Sequence, residues 1–335
     1  MKRRYSLLVL AGLGLGLGIP VLVGGRELLP VLARLQLENL AIMLGMILLA
    51  WNFNAGRIRL LIGGFGYRLR QRQALAILMA TEFAICATPG ATGGPVTYAW
   101  LLHRLGLPTG RGIALYAVDQ IFDMVFFITA LTGLTLYWLI VPSGLHLGWH
   151  VAVLSLLLLG GMALAWGVIL HYRRFLLASG RLLRHMNIST AGRRRLARWA
   201  LEFRRSLQLV RQLPVYRLWA VYLLCVCHWL LRYSILYFAV RAVGSSIPWS
   251  YAFVAQMLSL TAGQATLLPG GSGGTEASGS LLLLPYMDAG TAAGAILVWR
   301  FVTFYWYLIA GAPVFAMLAG RPLWRQMHGQ LQKQG

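Results

Sequence analysis

Only eight acidic residues face thirty Lys and Arg in this chain of 335 residues. The few carboxylates that fall inside apolar runs therefore stand out. Asp119 and Asp123 are spaced i, i+4 and share one face of a helix. Glu82 sits in a short apolar arm, Glu276 just after a glycine-rich break, and Arg300 within the last long apolar run. His228 and Arg232 form a second i, i+4 pair. Ionisable groups are expensive in hydrocarbon, and where they occur they mark substrate or ion pathways. Arg300 is the natural counter-ion for Asp119, Asp123 or Glu276, and equally for a lipid phosphate. With several acids and few bases converging, one carboxyl can hold a proton at rest, which would permit proton coupling. The residues leave open which one it is, and a purely structural ion-pair cluster is the alternative.

Two segments break in the same way. Pro89-Gly90-Ala91-Thr92-Gly93-Gly94-Pro95 interrupts one apolar stretch and Pro269-Gly270-Gly271-Ser272-Gly273-Gly274 another. A constant offset of 180 residues superposes the two, with nine identities across 88–133 against 268–313. Each break frees backbone N–H groups and exposes the start of a following helical arm, a setting suited to phosphate or carboxylate. Glycines that merely permit close helix packing would look alike at one site. Two at matched positions point instead to a transport site near mid-bilayer. Non-helical backbone at that depth must be buried in protein or line a watery cavity.

The elements that carry these residues follow from composition. The chain is 59% hydrophobic and 11% charged, with a mean hydropathy of +0.68. Soluble domains have about 25% charged residues, so a soluble enzyme, a disordered chain and a secreted disulfide scaffold are excluded. Apolar runs at 5–23, 38–53, 112–141, 149–170, 217–240 and 289–319 are near or above spanning length. The arms at 74–88 and 247–268 run into the two breaks, and the shorter ones beyond them make each a re-entrant hairpin. The expected fold is an all-α polytopic membrane protein with about six full spans and two broken hairpins in an inverted-topology repeat. It forms one integral membrane domain, with units at about 38–141 and 217–319.

The net charge of +22 sits in loops, which is the positive-inside pattern and not a nucleic-acid footprint. The span at 38–53 is expected to return to a basic cytoplasmic loop holding Arg57, Arg59, Arg68, Arg70 and Arg72. The loop 171–217, with twelve arginines and one acid, Glu202, is placed on the anionic leaflet, and the turn at 142–144 outside. The N-terminal run, with no small-x-small cleavage site, reads as an uncleaved first helix. Both termini are then cytoplasmic, in the cytoplasmic membrane. Cys86, Cys225 and Cys227 read as small buried hydrophobes. No metal-ligand spacing, nucleophile elbow or P-loop is present, so neither cofactor nor catalysis is expected.

The second break, Pro269-Gly270-Gly271-x-Gly273-x-x-Glu276, followed by Arg300, resembles the signature of the lysylphosphatidylglycerol synthase/flippase transmembrane family. The first half agrees in kind, with Pro89, Gly93-Gly94, the run Leu105-Gly106-Leu107-Pro108 and Asp123. At its tip Ala91-Thr92 stands where a basic residue is expected. The resemblance implies a protein that moves an anionic or aminoacylated lipid, or a lipid-linked carrier, between leaflets. In bifunctional relatives an aminoacyltransferase domain follows this region. A chain that stops at Gly335 is expected to be the transporter alone, with membrane lipids as partners and a separate lipid-modifying enzyme as a possible one. A homo-oligomer is an open option. The alternatives are a proton-coupled carrier of a small polar solute and an intramembrane lipid-modifying enzyme.

Overall fold

The computed structural model describes residues 2–140 and 213–320, together with the isolated helical positions Gly160 and Gly167. The expected span at 149–170, the turn at 142–144, most of the basic loop 171–217 and the tail after 320 lie outside the described residues. Within them the chain is helical, and no strand occurs. In order, the helices are α1 (Lys2–Gly24), α2 (Leu28–Ala33), α3 (Leu37–Gly63), α4 (Gln71–Ala87), α5 (Gly93–Arg104) and α6 (Thr109–Ile140). They continue as α7 (Val215–Ala242), α8 (Trp249–Ala265), α9 (Gly274–Leu283), α10 (Ala289–Arg300) and α11 (Trp306–Ala319). A five-residue π turn, Phe301–Tyr305, joins the last two. Among the described residues, five stretches are long and apolar enough to cross a membrane: Gly14–Ala33, Leu37–Gly63, Thr109–Trp138, Val215–Ala242 and Ala289–Ala319. This is an all-α polytopic membrane protein.

Two boundaries differ from expectation. The first apolar run does not stop at 23, because a short 3-10 turn carries it into α2. More consequentially, α3 does not end at 53 but runs to Gly63. Arg57 therefore belongs to a buried helical turn, 1% exposed, and not to a cytoplasmic loop. The apolar sequence resumes at Leu60-Leu61-Ile62, and burial of Ile58, Leu61 and Ile62 holds the last turns in place.

Proline and glycine set the two breaks. At the first, Pro89 has no N–H to give the helix and pushes Thr88 into an extended conformation (φ −120°, ψ 144°). Gly90 then turns the chain through the left-handed region (φ 58°). The Thr88 hydroxyl donates to Ala84 O at 2.6 Å and accepts from Gly93 N at 2.8 Å, so one side chain closes α4 and opens α5. At the second break Leu268 is extended and Gly270 takes φ 61°, ψ 15°. The next residues, Ala91 and Gly271, also match in positive φ (58° and 65°).

The 180-residue offset covers more than the tips. Shifted by it, α3 to α6 land on α7, α8, α9 and the Ala289–Ala319 span, with every bound agreeing to within two residues. The leading helices of the two sets, α3 and α7, pack along their length in opposite directions. His228 Nδ1 meets Ala50 O at 2.9 Å, Gly56 lies against Leu224, and Gly64 against Leu213. Corresponding helices thus run antiparallel, which is the relation an inverted repeat requires. Tyr251 donates to Leu282 O, so the second hairpin returns to the end from which it starts. Arms of 17 and 12 residues, at 1.5 Å each, reach about 25 and 18 Å, short of a ~30 Å hydrocarbon layer. The tips touch where Gly90 faces Leu267. Phe304, at the middle of the Ala289–Ala319 span, packs against Gly270.

Candidate functional site

Between the hairpins lies a polar chamber of about 250 Å³. Its walls come from α3 (Asn54, Arg57), α4 (Glu82), α5 (Tyr98), α6 (Asp119, Asp123), α7 (His228, Arg232) and α8 (Gln264), so both units contribute. Arg57 reaches across from α3. Its Nη1 donates to Asp123 Oδ1 at 2.5 Å and its Nη2 to Asp119 Oδ2 at 2.6 Å. The i, i+4 spacing of the two aspartates lets one planar guanidinium bridge both, a geometry that a lysine point charge cannot copy.

The two aspartates are not equivalent. Asp123 also accepts from Trp229 Nε1 at 2.6 Å, from the Cys225 thiol at 3.4 Å and from Gln120 Nε2 at 3.3 Å. Among the described residues Asp119 is held by Arg57 alone, and its Oδ1 is buried without a partner. Across the chamber, Arg232 pairs with Glu82 at 3.4 Å. Its guanidinium also lies 5.0 Å from the Tyr307 ring and 5.4 Å from the Trp229 ring, where cation–π attraction holds it. The pair is loose, and Arg232 keeps donors to spare.

The second hairpin carries a different pair. Arg300 Nε donates to Glu276 Oε1 at 2.6 Å, with side chains 2% and 0% exposed. Arg300 Nη2 donates to Gly270 O at 3.0 Å, and the guanidinium lies 4.4 Å from the Phe304 ring centre. The other Glu276 oxygen accepts from Gly273 N at 2.6 Å, so the start of α9 already has an anion on it. Over this tip runs α1. Gly12 lies against Pro269, and Gly16 against Tyr305, Glu276 and Ser272. Their i, i+4 spacing gives α1 a face without side chains, which allows that approach.

The structure therefore gathers Asp119, Asp123, Glu82 and Arg232 in one chamber and sets Arg300 and Glu276 apart in a sealed pair. Of the three acids that could have answered Arg300, Glu276 does so. Pro89, Gly90, Gly93 and Gly94, like Pro269, Gly270, Gly271, Gly273 and Gly274, act through backbone shape. At Gly93 the space a Cβ would need is held by Ala84 O, and at Gly274 by Ala262 O. Arg57, Asn54, Tyr98 and Trp229 escaped the sequence reading. For Arg57 the signal was present, since apolar residues resume three positions later. Nothing in the sequence marks Trp229 as a donor to Asp123.

Two antiparallel units, paired broken helices meeting at mid-span and a buried charged chamber define an all-α polytopic membrane protein with an inverted-repeat architecture. Comparison with known families is specific: the chain belongs to the family described as lysylphosphatidylglycerol synthase TM region, which it matches over residues 9–311. It is also similar to a "UPF0104 membrane protein" of Archaeoglobus fulgidus, 24% identical over 273 residues, which cover 78% of this chain and 81% of that protein. Neither description names a catalytic activity for this region.

Proposed function

We propose that the protein translocates an anionic or aminoacylated phospholipid, or a lipid-linked carrier, between the leaflets of the cytoplasmic membrane. The head group passes through the chamber. The observation that carries this reading is a pairing on α6 and α7. Beside the chamber, the same two helices form an apolar groove of about 370 Å³ lined by Phe122, Val125, Leu218 and Tyr222 among others. Phe122 and Asp123 are sequence neighbours, one turned to the groove and one to the chamber. A lipid needs such a juxtaposition of charged and oily surface, and a soluble solute does not.

The chamber chemistry suits a phosphate bearing a cationic substituent. Arg57 and Arg232 can answer phosphate oxygens, while Glu82, Asp119 and Asp123 can answer an ammonium. Arg300 and Glu276 serve in this reading as a clamp that fixes the second tip. For orientation, Arg59, Arg70, Arg72, Arg111 and Arg217 gather at one end of the bundle, where Gly64 meets Leu213. At the other end Glu27, Glu38 and Asp288 are balanced by Arg26, Arg34 and Arg241, so the excess of positive charge is at the first end. By the positive-inside rule the basic end is cytoplasmic, and the start of α1 and the end of α11 lie on that side.

The test is leaflet transfer in proteoliposomes, using head-group-labelled phosphatidylglycerol and its lysyl ester with an impermeant quencher outside. Transfer of one of them by the wild type, lost in Arg232→Ala, is expected. Wild-type protein that moves neither lipid yet accumulates a soluble solute would overturn the reading.

A further inference from the structure

The chamber holds three carboxylates and two guanidiniums. Arg300, the remaining buried arginine of this region, is bound to Glu276 outside it. One negative charge is therefore left over in a space where an unbalanced ion is costly. Asp119 Oδ1 is, among the described residues, the one fully buried carboxylate oxygen without a hydrogen-bond partner. Its residue is 7% exposed and lines the chamber. Asn54 Oδ1 and the Tyr98 hydroxyl, which line the same space, are also buried and unpartnered.

We propose that Asp119 is a proton-binding site, with the proton on Oδ1, and that this proton neutralises the excess charge of the substrate-free chamber. The geometry separates Asp119 from every other candidate. Asp123 accepts from Arg57, Trp229 and Cys225 on Oδ1 and from Gln120 on Oδ2, so four donors compensate its charge where Asp119 has one. Glu82 faces Arg232, and neither of its oxygens is both fully buried and unpartnered as Asp119 Oδ1 is. His228 donates its Nδ1 hydrogen to Ala50 O, and among the described residues its Nε2 meets no acceptor. A charge on His228 would also lie between Arg57 and Arg232. Tyr116, the other titratable group on α6 here, is neutral at ordinary pH.

A proton on Oδ1 leaves the Oδ2 contact to Arg57 intact and turns an orphaned acceptor into a donor. Asn54 Oδ1, unpartnered on the wall of the same chamber, is an acceptor by its chemistry. No bond to Arg57 breaks, and only the proton moves. The consequence for transport rests on the lipid reading. When a head group of net charge +1 enters, such as a phosphodiester carrying two ammonium groups, that charge replaces the proton, which leaves Asp119 for the solvent side. Translocation of such a lipid is then an exchange for a proton.

Infrared difference spectroscopy on the purified full chain in detergent tests the site without any lipid. A protonated carboxyl has a C=O stretch well apart from the carboxylate bands, and it shifts in D2O. At neutral pH the wild type should show one such band from a buried carboxyl, unaffected by replacing sodium with potassium. Asp119→Asn should remove it, and His228→Gln should leave it. Should Asp119→Asn fail to fold, the Asp119→Glu variant provides the second reading, since it keeps a carboxyl in the chamber and should shift the same band without removing it. No protonated band in the wild type, a band that persists in Asp119→Asn, or a band abolished by sodium would each overturn the proposal. Failure here would leave lipid transfer untouched, and a negative transfer assay would leave the band standing.

Discussion

The two halves share a backbone and differ in how they use charge. Around the first tip, five charged groups surround a cavity, one aspartate oxygen is unpartnered, and the Arg232–Glu82 contact is stretched. Around the second, one arginine and one glutamate are fully buried, each bonded to backbone as well as to each other, under the glycine face of α1. An inverted repeat gives both halves the same hairpin. Divergence has made one of them a chamber with spare hydrogen-bonding capacity and the other a sealed joint. Transport of the kind proposed above calls for both, because a substrate path can rearrange only against something that stays fixed.

The largest effects should come from breaking the charge pairs, and the halves should respond differently. Arg57→Ala strips the counter-charge from Asp123 and the hydrogen-bond donor from Asp119 Oδ2, and Arg300→Ala strips the counter-charge from Glu276. Removing one partner of a buried pair costs about 3–5 kcal/mol, and the Arg57 variant should sit at or above the top of that range. At the second tip, Glu276→Gln combined with Arg300→Gln should recover most of the single-variant loss and retain lipid transfer. In the chamber, Arg57→Gln combined with Asp123→Asn should recover stability without recovering transfer. Unfolding in detergent, measured beside leaflet transfer, checks both. A stable second-tip double variant that no longer moves lipid would put Arg300 in the path and dissolve the distinction.

Much of this was legible in the sequence. Proline and glycine punctuate a chain strongly, so the two breaks and their 180-residue offset could be read and the antiparallel packing anticipated. The ionisable residues inside apolar runs could be named, because hydrocarbon makes each of them conspicuous. What escaped was partnership. Arg57 was assigned to a loop because positive-inside counting treats every arginine beyond an apolar run as topological. Its two aspartates are more than 60 positions away in sequence, and no local rule connects them. The π turn after Arg300 was equally hidden, since its cause is tertiary: Val302 and Phe304 are buried and Phe304 fills the space beside Gly270.

A second, smaller contrast lies in the tip glycines. Gly90 and Gly270 have nearly the same backbone conformation, so alanine at either should cost about 1–2 kcal/mol for its left-handed φ. Their surroundings differ. A Cβ at Gly90 would meet Leu267 at 3.6 Å, an ordinary contact, whereas one at Gly270 would run into the Phe304 ring. Overpacking adds about 1–3 kcal/mol, so Gly270→Ala should be clearly the more destabilising in a thermal melt. Equal losses would mean that the joint is no tighter than the chamber tip.

The smallest expected effect, and the only stabilising one, is at the next position along each tip. Ala91 holds φ 58° where its counterpart Gly271 holds 65°, so the first tip carries a Cβ in a conformation that disfavours one. The first tip has room for that methyl group. The second does not, since a Cβ at Gly271 would come within 2.9 Å of the Gly263 backbone carbon in α8. Ala91→Gly relieves the left-handed strain at the cost of extra freedom in the unfolded chain, the two terms being about 1–2 and 0.4–1 kcal/mol. The net should be a gain of a few tenths to about 1 kcal/mol, read as a small rise in the melting temperature. Gly271→Ala should destabilise by several times as much, through backbone collision as well as φ. If Ala91→Gly instead lowers stability while raising the rate of lipid transfer, the methyl group is acting as a brace on the mobile tip, and the first hairpin is held more firmly than its open chamber implies.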